Sequence, residues 1–255
     1  MKLVIIGSGN VATVLGRKIA GSGHSILQIV SSTEAHAAVL AKALNCGYTS
    51  QWKAVDQEAD LYIIAISDSE LLKIDKKLSL GHKIVVHTAG SVSLQVLSHI
   101  SNNYGVLYPL QSLRKEILKI PEIPILVDAN SDKNLKILFD FASTISDKVV
   151  QMGDADRQKL HAGAIIVNNF TNHLFALTEA YCSEEKVDFR LLAPLINETA
   201  SRLNYFSPSL VQTGPAIRND HTTIQNHLDL LQSHPALSKI YELMTASISA
   251  NTQHG

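Results

Sequence analysis

The hydrophobic positions in the first half of the chain form short runs that alternate with amphipathic segments. The first run, Lys2–Ile6, is rich in branched apolar residues, as in a strand that is buried on both faces of a sheet. After a glycine turn, the segment Val11–Ala20 places Val11, Leu15 and Ile19 on one face. This spacing predicts a helix that packs one side against the sheet.

The same alternation continues to residue 151. Further strands are predicted at Ser25–Val30, Leu61–Ile66, Lys83–His87, Val106–Tyr108, Pro124–Val127 and Lys148–Gln151. The predicted helices between them are Thr33–Leu44, Asp68–Leu78, Ser93–Ile100 and Asp132–Ile145. This order predicts an α/β fold of the Rossmann type, a doubly wound parallel sheet with right-handed crossovers and helices on both faces. Ligands of such sheets bind beyond the carboxyl ends of the strands.

After Gly153 the pattern changes to helices alone. The predicted segments are Asp154–Cys182, Asp188–Leu203, His221–Leu231 and Ala236–Ser249, with a frayed end at Asn251–Gly255. We therefore predict a dinucleotide-binding domain over residues 1–153 and an all-α domain over residues 154–255. Because a thin helical domain leaves apolar helix faces uncovered, we also expect a symmetric homodimer.

Charge and cysteine content narrow the functional classes. The formal net charge of −1 offers no electrostatic attraction for nucleic acid or for an anionic membrane. No apolar segment approaches the length of a membrane span, and the N-terminal apolar run is too short for a signal peptide. Cys46 and Cys182 stand far apart and have no metal ligands near them in sequence. We expect a cytoplasmic protein with free thiols, no metal and a small-molecule substrate.

The turn after the first strand has the composition of a dinucleotide site. It consists of Gly7, Ser8, Gly9, Asn10, Val11 and Ala12. Gly7 permits a tight turn, Gly9 allows phosphates to approach the backbone, and Ala12 allows close packing of helix on strand. A strand, a glycine turn and a helix in this order present backbone N–H groups and a helix dipole to a pyrophosphate.

The end of the second strand bears on the choice of dinucleotide. Sites that prefer NAD place an acidic residue there, whereas this chain has Ser31, Ser32 and Thr33 before the next helix. Hydroxyls at a helix N-terminus can receive the 2′-phosphate of NADP. Because no arginine stands beside them, NAD also remains possible. Ser32 or Thr33 can equally cap the helix, a role compatible with phosphate binding.

Three other strand ends carry polar residues. The predicted cofactor contacts are Ile66, Ser67, Asp68, His87, Thr88 and Ala89. Asp68 can lie near the nicotinamide ribose or simply cap a helix. His87 can hydrogen-bond a ligand or exchange a proton, although a lone histidine at a strand end is more often structural. The segment Tyr108–Ser112 ends another strand with polar groups toward the same edge.

The long predicted helix carries a polar stripe. At 3.6 residues per turn it comprises Arg157, His161, Asn168, Asn172 and Glu179, with Asn169 beside it. Such a stripe is either a solvated face or the wall of a polar cleft, and two adjacent asparagines in an apolar sequence favour the cleft. We therefore predict His161 as the proton donor or acceptor, with Asn168 and Asn169 orienting a substrate oxygen.

The segment Thr213–His221 leaves two interpretations open. Arg218 has the planar fork that binds anions. Asp220 can cap the helix that starts at His221, with Arg218 paired to it or to a neighbouring subunit. The sequence does not choose between these roles.

Five motifs together resemble a known family. They are GSGNVA, HTAGS, YPLQS, HAGAIIVNNF and TGPAIRND, in chain order. The chain resembles the NAD(P)-binding oxidoreductases that join a Rossmann-like domain to a helical domain of unknown function. More distantly it is similar to pyrroline-5-carboxylate reductase and to the 6-phosphogluconate and 3-hydroxyisobutyrate dehydrogenases. This resemblance implies a C-terminal domain like that of 6-phosphogluconate dehydrogenase, a helical dimer interface and an active site in the cleft between the domains.

One departure from the distant relatives separates two functional hypotheses. Those dehydrogenases have a catalytic lysine four residues before an asparagine of the long helix, where this chain has Ala164 and Ile165. With His161 in place of the lysine, the protein is an NAD(P)-dependent oxidoreductase that transfers a hydride to or from a small carbonyl, imine or alcohol. Without such a substitute, it is a non-catalytic dinucleotide-binding sensor on the same fold.

Overall fold

A computed structural model describes residues 1–74 and 78–252 of the chain. Two compact units are present, Met1–Asn168 and Asn169–Gly255. The first unit includes the start of the long helical region. The predicted division into functional domains at residues 153 and 154 stays a prediction.

The first unit contains an eight-stranded sheet. The strands are β1 (Lys2–Ile6), β2 (Ser25–Val30), β3 (Gly47–Thr49), β4 (Leu61–Ile64), β5 (Gly81–His87), β6 (Ser101–Pro109), β7 (Ile125–Ala129) and β8 (Val149–Gln151). Their order is β3-β2-β1-β4-β5-β6-β7-β8, which confirms the predicted Rossmann-type architecture. The direction of winding reverses between β1 and β4, so a crevice opens there at the carboxyl edge of the sheet.

The sequence pattern predicts a sheet of parallel strands only, and this prediction is wrong for one pair. Strands β6 and β7 pair antiparallel, with Val106 opposite Asp128, while all other neighbours run parallel. A parallel connection needs a crossover, usually a helix. Residues 110–124, all of them described, form no helix. The chain therefore returns alongside β6 in the opposite direction.

Helices cover both faces of this sheet. They are α1 (Asn10–Ala20), α2 (Glu34–Leu44), α3 (Asp68–Leu71), α4 (Asp132–Ser143) and α5 (Asp154–Ala164), with 3-10 turns at Trp52–Ala54 and Leu94–Leu97. The predicted helix Asp68–Leu78 is a single turn in its described part, and residues 75–77 lie outside the described residues. The predicted helix Ser93–Ile100 is reduced to the second 3-10 turn.

Alternate residues of β1 enter two separate hydrophobic clusters. Leu3 and Ile5 belong to one cluster, and Val4 and Ile6 belong to the other. All four are almost completely buried. This double burial explains the continuous apolar run of the first strand, and it fixes the glycine turn that follows at the centre of the sheet edge.

The described residues of the second unit form helices and connecting loops, and no strands. It contains α6 (Thr171–Glu184), α7 (Ala193–Ser201), α8 (His221–Leu230) and α9 (Pro235–Thr252), with 3-10 turns at Phe189–Leu192, Arg202–Asn204 and Pro208–Val211. Asp220 caps α8 by accepting from the Thr223 backbone N–H at 3.1 Å and from its hydroxyl at 2.7 Å. Of the frayed end predicted at Asn251–Gly255, residues 253–255 lie outside the described part of the chain.

The long predicted helix is continuous in helical character but not in its hydrogen-bond period. A π-helical segment, Ile165–Phe170, follows α5. Its i→i+5 hydrogen bonds shift the angular position of every later residue. The predicted single stripe is therefore wrong, because Asn172 and Glu179 do not continue the line of Arg157 and His161.

None of the helices in the described residues is both long and apolar enough to cross a membrane.

Candidate active site

A cavity of about 530 Å³ lies at the carboxyl ends of the central strands in the first unit. Most of the predicted site residues line it, namely Gly7, Ser8, Gly9, Asn10, Val11, Ser31, Ser32, Ile66, Ser67, Asp68, Thr88, Ala89 and His161. The cavity also has lining residues that the sequence reasoning did not select, among them Trp52, Gly90 and Tyr108. Five separate strand ends thus contribute to one concave surface.

The remaining predicted site residues occupy other positions. Ala12 lies on the buried face of α1 and is fully buried in the core, in keeping with a packing role. Thr33 precedes α2, and His87 is fully buried beneath the loop that follows β5. Asn168 is exposed and is not among the described lining residues, and Asn169 belongs to the second unit.

The glycine turn is built around two different steric requirements. Gly7 donates its N–H to the Val30 carbonyl at 2.7 Å and has φ +128°. A Cβ there would lie 2.1 Å from the Ala65 carbonyl oxygen, so only glycine fits. A Cβ on Gly9 would meet nothing within 4 Å. Gly9 precedes α1 without a side-chain cap, so the first N–H groups of this helix face the open cavity.

The end of β2 presents hydroxyl groups to the same cavity. The Ser31 and Ser8 hydroxyls share a hydrogen bond at 2.8 Å, and the Ser31 backbone N–H donates to Thr49 at 3.1 Å. Thr33 is the N-cap residue of α2, but its side chain makes no capping hydrogen bond. The serine hydroxyls and the start of α2 are therefore available to an anionic ligand.

The loops after β4 and β5 are joined by a hydrogen bond. The Asp68 carboxylate accepts from the Ser91 hydroxyl at 2.5 Å. Ser67, not Asp68, is the N-cap residue of α3, so the alternative interpretation of Asp68 as a helix cap is wrong. Asp68 instead ties together two loops that line the cavity.

A tyrosine and a histidine that both line the cavity are hydrogen-bonded to each other. The Tyr108 hydroxyl lies 2.9 Å from Nδ1 of His161, and the two rings meet edge to face at a centroid distance of 5.7 Å. Tyr108 comes from the end of β6 and His161 from α5. Burial raises the pKa of the Tyr108 hydroxyl, and nearby Asp68 adds to this effect whereas Arg157 opposes it. The hydroxyl therefore remains protonated at neutral pH.

Tyr108 is not among the site residues predicted from the sequence, although the polar segment that begins with this residue was noted. The polar segment after its strand pointed to the correct edge of the sheet. Its partner on α5 lies more than fifty residues further along the chain. Only tertiary contact brings the two rings together.

A buried arginine anchors α5 to the loop after β5. Arg157 is fully buried, and its Nη2 donates to the Val92 carbonyl at 2.5 Å and to Asp154 at 2.6 Å. Asp154 also accepts from the Ser93 hydroxyl and from the Leu94 N–H at 3.2 Å. Burial alone would raise the pKa of Asp154, but the hydrogen bonds from Ser93 and Arg157 lower it. The carboxylate therefore stays ionised beside the guanidinium.

His87 is a structural residue under this loop. Its Nδ1 accepts from the Ala89 backbone N–H at 3.1 Å, which places the ring proton on Nε2. Burial, reinforced by the positive charge of Arg157, lowers the pKa of His87 to about 4. The ring is neutral at pH 7 and is absent from the described cavity lining, so the predicted ligand contact or proton exchange by His87 finds no geometric support.

Two family models match the chain. The model described as NADP oxidoreductase coenzyme F420-dependent matches residues 2–90. The model described as domain of unknown function DUF2520 matches residues 123–248. No curated protein matches the chain in sequence.

Solved structures are similar over nearly the whole chain. A protein of Bacteroides fragilis, named as an NADP oxidoreductase, is 36% identical, with 98% of each chain covered and a TM-score of 0.90. An imine reductase of Myxococcus stipitatus in complex with NADP+ is 15% identical, covering 100% of this chain and 95% of its own, with a TM-score of 0.67. A 1-pyrroline-5-carboxylate reductase of Streptococcus pyogenes is 16% identical, with 98% of each chain covered and a TM-score of 0.64. The last two similarities concern the fold.

Substitution of Gly9 by Asp tests the glycine turn. Since a Cβ at this position would meet no atom within 4 Å, the variant should fold normally. Its carboxylate should repel a pyrophosphate and weaken NADPH and NADH binding at least about 100-fold, or roughly 2.7 kcal/mol. Calorimetric titration measures the affinities. The control is Gly21→Asp, which adds the same charge at the other end of α1. Wild-type affinity in Gly9→Asp would contradict a dinucleotide site at this turn.

The depressed pKa of His87 predicts a pH-dependent stability. Between about pH 6.5 and pH 4 the unfolded chain binds a proton at this residue and the folded chain does not. Stability should therefore fall as the pH is lowered through this range, by at most about 1.4 kcal/mol per pH unit. Urea unfolding should show a smaller slope in His87→Asn, which keeps an acceptor for Ala89. His99→Gln, at an exposed histidine, should keep the wild-type slope. Equal slopes in His87→Asn and wild type would show that burial does not suppress protonation of His87.

Proposed function

We propose that this chain, which belongs to the NADP oxidoreductase family with a C-terminal domain of unknown function, transfers a hydride to or from a small carbonyl, imine or alcohol. The observation that carries this proposal is a single cavity lined by both the glycine turn and His161. Such a cavity can hold a dinucleotide and a proton-exchanging group side by side.

The cavity residues fit a nicotinamide dinucleotide. The uncapped start of α1 and the open space at Gly9 suit the pyrophosphate. Thr88 and Ala89, which also line the cavity, are small residues that leave room for a ligand. When bound, the dinucleotide supplies hydride chemistry that no side chain provides.

The end of β2 favours NADP over NAD. Ser31 and Ser32 line the cavity, and neither they nor Thr33 brings the carboxylate that a ribose-binding NAD site usually has. Their hydroxyls and the first N–H groups of α2 can donate to a 2′-phosphate. The titrations of the wild-type protein with NADPH and NADH measure this preference, and equal affinities would contradict it.

His161 is our candidate for proton exchange. Imidazole donates and accepts protons near neutral pH, and this ring reaches the cavity from α5. It occupies the role that the missing lysine plays in the distant dehydrogenases. Asn168 and Asn169 are both exposed in the single chain, and their predicted role in orienting a substrate oxygen stays a proposal.

The reaction is tested by NADPH oxidation against a panel of ketoacids, aldehydes and imines. The wild-type protein should oxidise NADPH with at least one of these compounds. His161→Gln should keep dinucleotide affinity while turnover falls about 10²- to 10⁴-fold, because the proton-exchanging group is lost. His99→Gln should behave as wild type. Tight NADPH binding without turnover of any compound would favour the non-catalytic sensor instead.

The second unit supports the proposal of a homodimer. Many of its large apolar side chains are more than half exposed, including Val187, Leu191, Leu195, Leu203, Tyr205, Phe206, Leu210 and Leu243. Its described buried apolar residues are few by comparison, namely Cys182, Ala216 and Leu231. Apolar surface of this extent needs a partner, and a second copy of the same chain is the simplest one.

The two free cysteines agree with the expected reducing, cytoplasmic environment.

Light scattering should give twice the chain mass of 27.8 kDa at micromolar concentration. Leu210→Asp should shift the protein toward the monomer, because it places a charge in the buried interface. The matched control, Val39→Asp, adds the same charge at a position of the first unit that is 72% exposed and should leave the mass unchanged. A wild-type monomer would contradict the proposed dimer.

A further inference from the structure

We propose that Tyr108 exchanges the proton with the substrate and that His161 acts behind it as the proton reservoir. This inference rests on the proposed function, and it divides between two residues the role that His161 otherwise fills alone. It adds a catalytic residue from β6 to the one on α5.

The geometry of the hydrogen bond carries the inference. Nδ1 of His161 is 2.9 Å from the Tyr108 hydroxyl, so this nitrogen is engaged and faces the tyrosine. A tyrosine hydroxyl can accept one hydrogen bond while it donates another. Tyr108 lines the cavity itself, where its hydroxyl can donate to a substrate oxygen or nitrogen. A proton from Nδ1 therefore reaches the cavity through the hydroxyl.

Gly90 closes over this pair. A Cβ at position 90 would lie 2.5 Å from Nδ1 of His161 and 2.8 Å from Cζ of Tyr108. The absence of a side chain allows the backbone to pack directly against both rings. Such packing explains a glycine at a position that has no positive φ.

Both partners are held by rigid elements. Tyr108 lies in β6, where it is opposite Leu126 of β7. His161 lies one helical turn after Arg157, which is fully buried and bonded to Asp154 and to the Val92 carbonyl. The distance between the two rings is therefore set by the sheet and by the anchored helix, as proton transfer requires.

During a reduction, Tyr108 and His161 would pass one proton from solvent to the substrate. The substrate oxygen or nitrogen would gain the hydroxyl proton of Tyr108, while the bound dinucleotide would supply the hydride to the neighbouring carbon and would itself be oxidised. The Tyr108 oxygen regains a proton from Nδ1 of the His161 imidazolium, which is left neutral with its remaining proton on Nε2. His161 then takes a proton from solvent. Asp68 and Arg157 are the charged groups that act on Tyr108 besides His161, and the buried hydroxyl stays protonated at neutral pH.

Tyr108→Phe tests the relay by activity. With a substrate found in the panel, turnover should fall at least about 100-fold while dinucleotide affinity is unchanged. Because the relay would supply the proton of the reduction, the pH profile of turnover should differ between this variant and the wild-type protein. Tyr104→Phe removes another hydroxyl of the same strand, one that donates to Gln95 at 2.9 Å, and should behave as wild type. A lower rate with an unaltered pH profile would show only a packing role for Tyr108 and overturn the relay.

Nitrogen NMR of the histidine rings provides a second readout without substrate or dinucleotide. One ring signal should be missing in His161→Gln, and the same signal should shift in Tyr108→Phe because its Nδ1 loses the hydroxyl. Tyr104→Phe should not move it. An unmoved signal in Tyr108→Phe overturns the relay.

The two hypotheses fail in different ways. If the wild-type protein oxidises NADPH with a compound of the panel and the Tyr108→Phe variant does so equally well, the relay is overturned and the proposed function stays intact. A wild-type protein that binds NADPH but turns over no compound of the panel contradicts the proposed function and the relay with it.

Discussion

The buried ion pair between Arg157 and Asp154 is the interaction on which the candidate site depends. Both residues lie in the first turn of α5, and each also bonds the loop after β5, Arg157 through the Val92 carbonyl and Asp154 through the Ser93 hydroxyl and the Leu94 N–H. Nε and Nη1 of Arg157 have no hydrogen-bond partner among the described residues. The carboxylate of Asp154 is therefore the main group that offsets the cost of burying the guanidinium. Loss of Asp154 would leave the buried guanidinium without its counter-ion, and an unpaired buried charge typically costs about 3–5 kcal/mol. The anchored helix α5 places His161 within hydrogen-bond distance of Tyr108.

Backbone clearance is the second constraint, and three glycines meet it in different ways. Gly7 touches the Ala65 carbonyl, Gly90 touches the rings of Tyr108 and His161, and Gly9 faces open space. Two of these positions therefore exclude side chains for the sake of the protein's own packing. The third glycine, Gly9, leaves space that a bound ligand can occupy. This distinction separates structural glycines from the one suited to a ligand.

Most helices and strands of the sheet unit were predictable because their causes are local. An apolar run such as Lys2–Ile6 has to be buried wherever the chain takes it, and its observed bounds are those predicted. The three-residue strand Gly47–Thr49 carries too little periodicity to be recognised. The antiparallel pairing of β6 with β7 depends on hydrogen bonds between distant segments. The π-helical segment at Ile165–Phe170 altered the predicted stripe, because one change in hydrogen-bond period rotates all later side chains.

The sequence by itself determined the Rossmann-type sheet, the helical second part and the strand ends at which to look for a site. Those properties follow from the order of apolar runs and from glycines at fixed offsets. Only the tertiary structure decided which loop residues share a cavity, that His87 is buried and neutral, and that Tyr108 faces His161. Contacts between residues far apart in the chain leave no periodic pattern, since they arise when separate elements pack.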